Sequence, residues 1–242
     1  MSDPNLDELL GRAAPAPRDS FDVAAINYPG FHPTPFMEAW HGFGWSEFDI
    51  LARCRPRFPG HRQPLEPLWG PYDESDPAWA GREIDAMADH GIDAVIYDWY
   101  WYCGVEIWNE GLDRGFLHAP NRGRLKFALM WANHTWQNNH PAELTEALTN
   151  LLPIRPSPQD CARVIDVWSE RYFCQPNYWR IDGRPWVSFF LLSNLLEQLG
   201  GKVGVGRIVE RMRKRAERNG QPGLHLALFT WSPAEAKTAA EL

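Results

Sequence analysis

The chain has 242 residues, a formal net charge of −7, 44% hydrophobic and 23% charged residues, the balance of a globular domain with one sizeable core. That charge argues against a nucleic-acid partner, which favours a basic face, and no apolar run reaches the length of a membrane-spanning helix. Cys54, Cys103, Cys161 and Cys174 lack CxxC spacing and the density of a disulfide scaffold, so reduced thiols are expected.

Residues 1–20 are polar and rich in Pro and Ala, with no basic start and no continuous apolar stretch. They are expected to form a tail without a secretory signal, ahead of a domain over 21–242, in a cytoplasmic protein. The first expected strand is 22–31, an apolar run that is continuous rather than alternating, as suits a strand covered on both faces. Residues 32–75 then form a long connection rich in Pro, Gly and Trp. A loop of that length without secondary structure is functional or disordered, and this one is too aromatic for disorder. Asp76 caps a helix with Pro77 in its first turn, running to Gly91. The second strand is 94–102, followed by a helix over 106–117 and a third strand over 126–133. Ser157-Pro158 opens the next helix, and 185–192 reads as the fourth strand. Val205, Ile208, Val209, Met212 and Ala216 make the apolar stripe of a helix ending near Gly220. Its Arg211, Arg213, Lys214, Arg215 and Arg218 read as a solvated outer face. The fifth strand is 224–231, and Ser232-Pro233 opens a last helix.

Strands alternating with helices predict a parallel α/β architecture. No GxGxxG follows the first strand and no GxxxxGK[ST] occurs, so nucleotide-binding doubly wound sheets lose their main support. The expected fold is an α/β, TIM-barrel-like (β/α)8 architecture with about five of its eight strand–helix units present. An eight-unit barrel takes roughly 250 residues, and here the long connection 32–75 uses much of that length.

Active sites of such barrels gather at the C-terminal ends of the strands. The first strand ends in Tyr28 and His32, the second in Asp98, Tyr100 and Trp101, the third in Trp131, Asn133 and His134, and the fifth in Trp231. Flat rings stack on the C–H faces of a sugar while short polar groups fix its hydroxyls. Any one tryptophan is as well explained by the core; the pattern shared by three strand ends points to a carbohydrate substrate. Asp98 stands in an otherwise aromatic strand, where an unpaired charge is costly. It is either a catalytic or hydroxyl-binding group, or the buried partner of an Arg or His. The long connection is expected to fold over the strand ends and bring Trp45, His61 and Gln63 near Asp98. Glu47, Asp49 and Glu106 are further carboxyl candidates, the first two with Arg53 and Arg57 as alternative ion-pair partners. Without HxH on a strand, HExxH or GxSxG, no metal, cofactor or serine-esterase chemistry is expected.

The runs YPGFHPTP, WHGFGWSEFD, PRFPGHRQP and LWGPYDESDP, followed by HGIDAVIYDWYW and LKFALMWANHTW, resemble the WbsX-type proteins, which are similar to the endo-mannosidase-like glycoside hydrolases of family 99. The resemblance is strong over 25–136 and continues weakly to the end. It implies a (β/α)8 barrel acting on sugars, often bacterial polysaccharide, with paired catalytic glutamates on a strand later than Trp231. Relatives often carry Trp in place of Phe48 and Glu in place of His134. The expected function is a glycoside hydrolase-like activity on oligo- or polysaccharide. The alternatives are a glycosyltransferase-type role in surface-polysaccharide synthesis, against which no DxD or Gly-rich diphosphate cradle is found, and a sugar-binding module without turnover. Open sheet edges are expected to promote self-association.

Overall fold

The structure is a computed structural model that describes residues 21–138 and 149–242, so the expected tail 1–20 lies outside the described residues. In chain order the first half holds β1 (Ala24–Asn27), α1 (Pro35–His41), α2 (Glu47–Arg53), α3 (Pro77–Asp89), β2 (Ala94–Tyr102), β3 (Val105–Ile107) and β4 (Lys126–Trp131). The second holds β5 (Trp136–Gln137), β6 (Asn150–Leu152), α4 (Pro158–Arg171), β7 (Arg180–Ile181), β8 (Arg184–Phe189), α5 (Leu192–Leu199), α6 (Gly201–Arg218), β9 (His225–Leu228) and α7 (Pro233–Ala240).

All five expected apolar runs are strands, and β1, β2, β4, β8 and β9 lie parallel and side by side in chain order. The register sets Ile26 against Ile96, Ile96 against Ala128, Met130 against Ser188 and Ser188 against Ala227. A doubly wound sheet reverses its order at a switch point, whereas a barrel never does. The unreversed order makes this an α/β fold of the barrel kind, in which the sheet is not closed: among the described residues β1 pairs only with β2, and β9 only with β8.

The expected helix starts hold for a local reason. Asp76, Ser157 and Ser232 each accept a backbone N–H with their side chain, and each helix carries proline in its first turn. Three segments differ from expectation. The connection 32–75 contains two short helices, α1 with Thr34 bonded to the Met37 N–H and α2 with a Ser46/Asp49 capping box, and it buries Met37, Trp45 and Phe48. The segment 106–117 is not a regular helix. β3 folds back on β2, Trp108 takes a left-handed φ of 59°, and a π-helical turn (Gly111–Gly115) follows. That turn has no side chain where it meets the neck of the long connection, because a Cβ on Gly115 would collide with the Glu74 carbonyl. The fourth strand stops at Phe189 because Leu192 opens α5, which ends at Gly200 with φ 84°.

Successive residues of a strand face opposite sides. Val95, Tyr97, Trp99 and Trp101 of β2, with Phe127, Leu129 and Trp131 of β4, join Ile84, Val164, Ile165, Trp168 and Val205 of the helices in one large core. Ile96, Ala128, Met130 and Trp186 form a separate cluster with Trp179 and Phe190 on the other face, the side a barrel encloses. Asp98 shares that inner parity.

Candidate functional site

At the end of β1 the chain turns sharply through Pro29-Gly30, with the Gly30 N–H bonded to the Tyr28 carbonyl. Gly30 lacks the Cβ that would strike the Glu47 side chain and the Tyr28 ring. This close approach lets α2 dock: the Glu47 N–H donates to the Gly30 carbonyl at 3.0 Å, and the Tyr28 hydroxyl donates to Glu47 Oε1 at 2.9 Å. Burial, reinforced by Glu47, pushes the Tyr28 phenol far up, so it stays a proton donor.

Asp98 lies next along the sheet. Its Oδ1 is buried and has no hydrogen-bond partner, and burial lifts its carboxyl from 3.8 to about 7. The phenols of Tyr28 and Tyr100 both lie within its electrostatic reach. Among the described residues no Arg or His bonds to Asp98.

A train of rings crosses the strand ends. Tyr28 meets Trp108 edge-on at 5.2 Å, Trp108 meets Trp136 at 4.5 Å, and Tyr100 contacts both at 5.6 and 5.7 Å. His134 approaches Tyr100 at 5.9 Å and Phe190 at 5.8 Å, and Phe190 meets Trp231 at 5.5 Å. Edge-to-face geometry is the favoured contact of such rings. Burial lowers the His134 pKa, so this ring is neutral near pH 7. Trp231, 66% exposed, ends the train with an open face.

Other expected site residues lie elsewhere. Trp101 and Trp131 face the helix-covered core: the Trp101 indole donates to Asp160 on α4 at 3.2 Å, and Trp131 tilts against Phe189 at 5.8 Å. The Asn133 amide ties β4 to the end of β8, accepting from the Phe190 and Leu191 N–H groups and donating to the Leu191 carbonyl. Trp45 is buried and stacked on His41 at 4.3 Å. His61 stacks on Phe58 and bonds the Arg57 N–H, while the exposed Gln63 bonds the Leu65 N–H. Among the described residues neither contacts Asp98.

His32 sits in the neck of the long connection, fully buried, with Nδ1 2.8 Å from Glu74 and Nε2 3.4 Å from Glu110. The same Glu74 oxygen accepts the Phe31 N–H at 2.8 Å. Burial alone would lower the His32 pKa, but the bonds to Glu110 and Glu74 outweigh it and raise it to about 9. Nearby Glu83, pushed up by burial and then by Glu74, titrates at about 7.

The structure thus gathers Asp98, Tyr28, Glu47, Tyr100, His134 and Trp231 from the expected set. Trp108 joins them unannounced, with Trp136 from the third strand-end run and Phe190 from the expected fourth strand. Nothing in the sequence marks the turn that delivers Trp108. Among the described residues no group of His, Cys, Asp and Glu could hold a metal ion, and no helix is long and apolar enough to cross a membrane.

The fold has solved counterparts. The structure of the GH99 endo-alpha-mannosidase from Bacteroides thetaiotaomicron in complex with bis-tris-propane superposes with a TM-score of 0.58 at 14% identity, covering 90% of this chain and 55% of that one. Two curated relatives, both called "Uncharacterized protein WxcX" and from two strains of Xanthomonas campestris pv. campestris, are 28% identical over 206 residues, 85% of this chain and 28% of their own length. The chain therefore spans little more than a quarter of those relatives. A family model described as "Glycosyltransferase WbsX" matches residues 23–241. With that match running from the start of the sheet to the last helix, the chain belongs to the WbsX family.

Proposed function

We propose that this chain forms part of the active site of a carbohydrate-active enzyme, with hydrolysis of a glycosidic bond as its reaction. The observation that carries the reading is Asp98: a carboxyl lifted to about 7 with an unpartnered buried oxygen, set among rings at the strand C-termini. A carboxyl held protonated near neutrality can donate its proton to a glycosidic or hydroxyl oxygen. Glycoside cleavage needs two carboxyl groups. Glu47, hydrogen-bonded by the Tyr28 hydroxyl at the neighbouring strand end, is the candidate for the second. Trp231 offers an open face for a sugar ring.

Transfer is the second reading, favoured by the description of the family; the same acid would serve an acceptor hydroxyl. The intact protein, incubated with bacterial surface polysaccharide, should release new reducing ends. Asp98→Asn should slow that release by about 10²–10⁴-fold, the usual contribution of a positioned acid. Consumption of a nucleotide sugar without release of reducing ends would assign transfer instead. Binding without any turnover would leave a sugar-binding module, and full activity of the Asn variant would remove Asp98 from the chemistry.

A further inference from the structure

Between Asp49 and Glu66 the long connection contains no acidic residue, yet it carries Arg53, Arg55, Arg57, Arg62 and His61. In a chain of net charge −7 this is a local reversal of sign. Several arginines elsewhere have acidic partners: Arg124 pairs with Asp85 and Asp89, Arg171 with Glu106 and Asp113, and Arg215 with Asp166. Here none of the four forms an ion pair among the described residues, and all four are exposed. Glu47 and Asp49, the nearest carboxylates, are engaged elsewhere: Tyr28 holds the first, and the Ser46 N–H holds the second at 3.0 Å.

The segment has local order. Arg55 reaches back to the Ala52 and Cys54 carbonyls. The Phe58-Pro59-Gly60-His61 turn closes with the His61 N–H on the Phe58 carbonyl at 3.1 Å, and the two rings stack at 4.5 Å, leaving Phe58 60% exposed. An open ring among unpaired guanidinium groups suits a ligand that combines apolar faces with negative charge. Its position suits the mouth. Glu47 at the start of α2 touches Tyr28, and Arg53 closes the same seven-residue helix, about 9 Å away at 1.5 Å rise per residue.

We propose that residues 53–62 form a subsite for the acidic groups of an anionic polysaccharide, with the guanidinium groups pairing carboxylate or phosphate substituents and Phe58 stacking on a neighbouring sugar. Arginine binds both anions in a bidentate fork, and an anionic chain reaching from Asp98 past α2 would meet this positive segment outside the reacting centre. The inference rests on the glycan reading of the Asp98 site and names its substrate class.

The test compares binding of the intact protein to polygalacturonate and to the same polymer after carboxyl reduction. Polygalacturonate should bind more tightly, with affinity falling as salt is raised, since exposed charge pairs are screened. The double variant Arg57→Gln/Arg62→Gln should bind it about tenfold more weakly, with binding of the reduced polymer unchanged. Phosphorylated mannan distinguishes phosphate from carboxylate as the preferred substituent, and tighter binding of either anionic polymer supports the subsite. Equal affinity for charged and reduced polymers, or an unaffected double variant, overturns it. So does tighter binding of a DNA duplex or of phosphatidylserine vesicles that the double variant loses, which would assign the segment to another class of partner. Asp98→Asn should slow turnover by about 10²–10⁴-fold while leaving this charge-dependent binding intact. Undiminished turnover in Asp98→Asn would sink the catalytic reading without touching the subsite, and loss of charge discrimination alone would sink the subsite without touching catalysis.

Discussion

Asp98 and the tryptophans around it illustrate two kinds of buried side chain. A carboxyl raised from 3.8 to about 7 favours folding only in its protonated form. Its stabilising contribution is complete below about pH 4 and is lost as pH rises through about 7. Asp98→Asn, neutral at every pH, should therefore raise the melting temperature at pH 8 relative to the wild type while leaving it little changed at pH 4, as calorimetry would record. Activity that depends on the acid should decline above about pH 7, and the variant should lack that limb. The tryptophans divide by face. Trp131 is almost fully buried on the helix side, and Trp131→Ala should cost about 3–5 kcal/mol of stability. Trp231→Ala should cost little stability but weaken glycan binding by about 0.5–1.5 kcal/mol. Denaturant titration and binding calorimetry separate the two, and reversed outcomes would reverse the faces assigned to them. Asp98 was legible because a charge amid aromatic residues stands out. Parity along β2 already set Trp101 opposite Asp98, but placing Trp131 needed the pairing of Trp99 with Trp131 across strands.

Among the elements, the neck of the long connection is held by charge. His32 is bonded to Glu74 and Glu110 with its pKa raised from 6.5 to about 9. A raised histidine pKa contributes stability that is fully present below about pH 6.5 and lost as pH rises through about 9. His32→Gln should remove that dependence, and breaking a buried pair from one side costs about 3–5 kcal/mol. Limited proteolysis should then cut within 32–75 in the variant at pH 7, and in the wild type only at pH 9.5 or above. A neck equally protected in both would mean that Met37, Trp45 and Phe48 hold the connection through packing alone. Gly115→Ala should loosen the same neck by driving a Cβ into the Glu74 carbonyl. The capped helices were legible because Asp or Ser followed by Pro is a local signal. α1 and α2 carry local signals too, Thr34-Pro35 and the Ser46/Asp49 box, but at seven residues they depend on packing, and the eight-residue α5 has no side-chain cap at all.

For the whole molecule, the decisive feature is an open five-strand sheet. β1 and β9 each bond on one side only among the described residues, and Ile26 on the inner face is 51% exposed. Unpaired strand edges beside an apolar face invite another chain. The 242-residue chain, prepared alone, should therefore show mass rising with concentration in light scattering; a stable monomer across the range would show that the edges are protected. The sequence by itself determined the five parallel strands, their order and the capped helices, because hydrophobic runs, caps and glycine stops act over a few residues. Tertiary structure alone decided which tryptophans serve the core, that His32 joins a neck instead of the mouth, and that Trp108, left-handed just after β3, joins the rings at the strand ends. Those outcomes depend on cross-strand register and on side chains far apart in sequence, such as His32, Glu74 and Glu110, meeting in space, and no local pattern encodes such meetings.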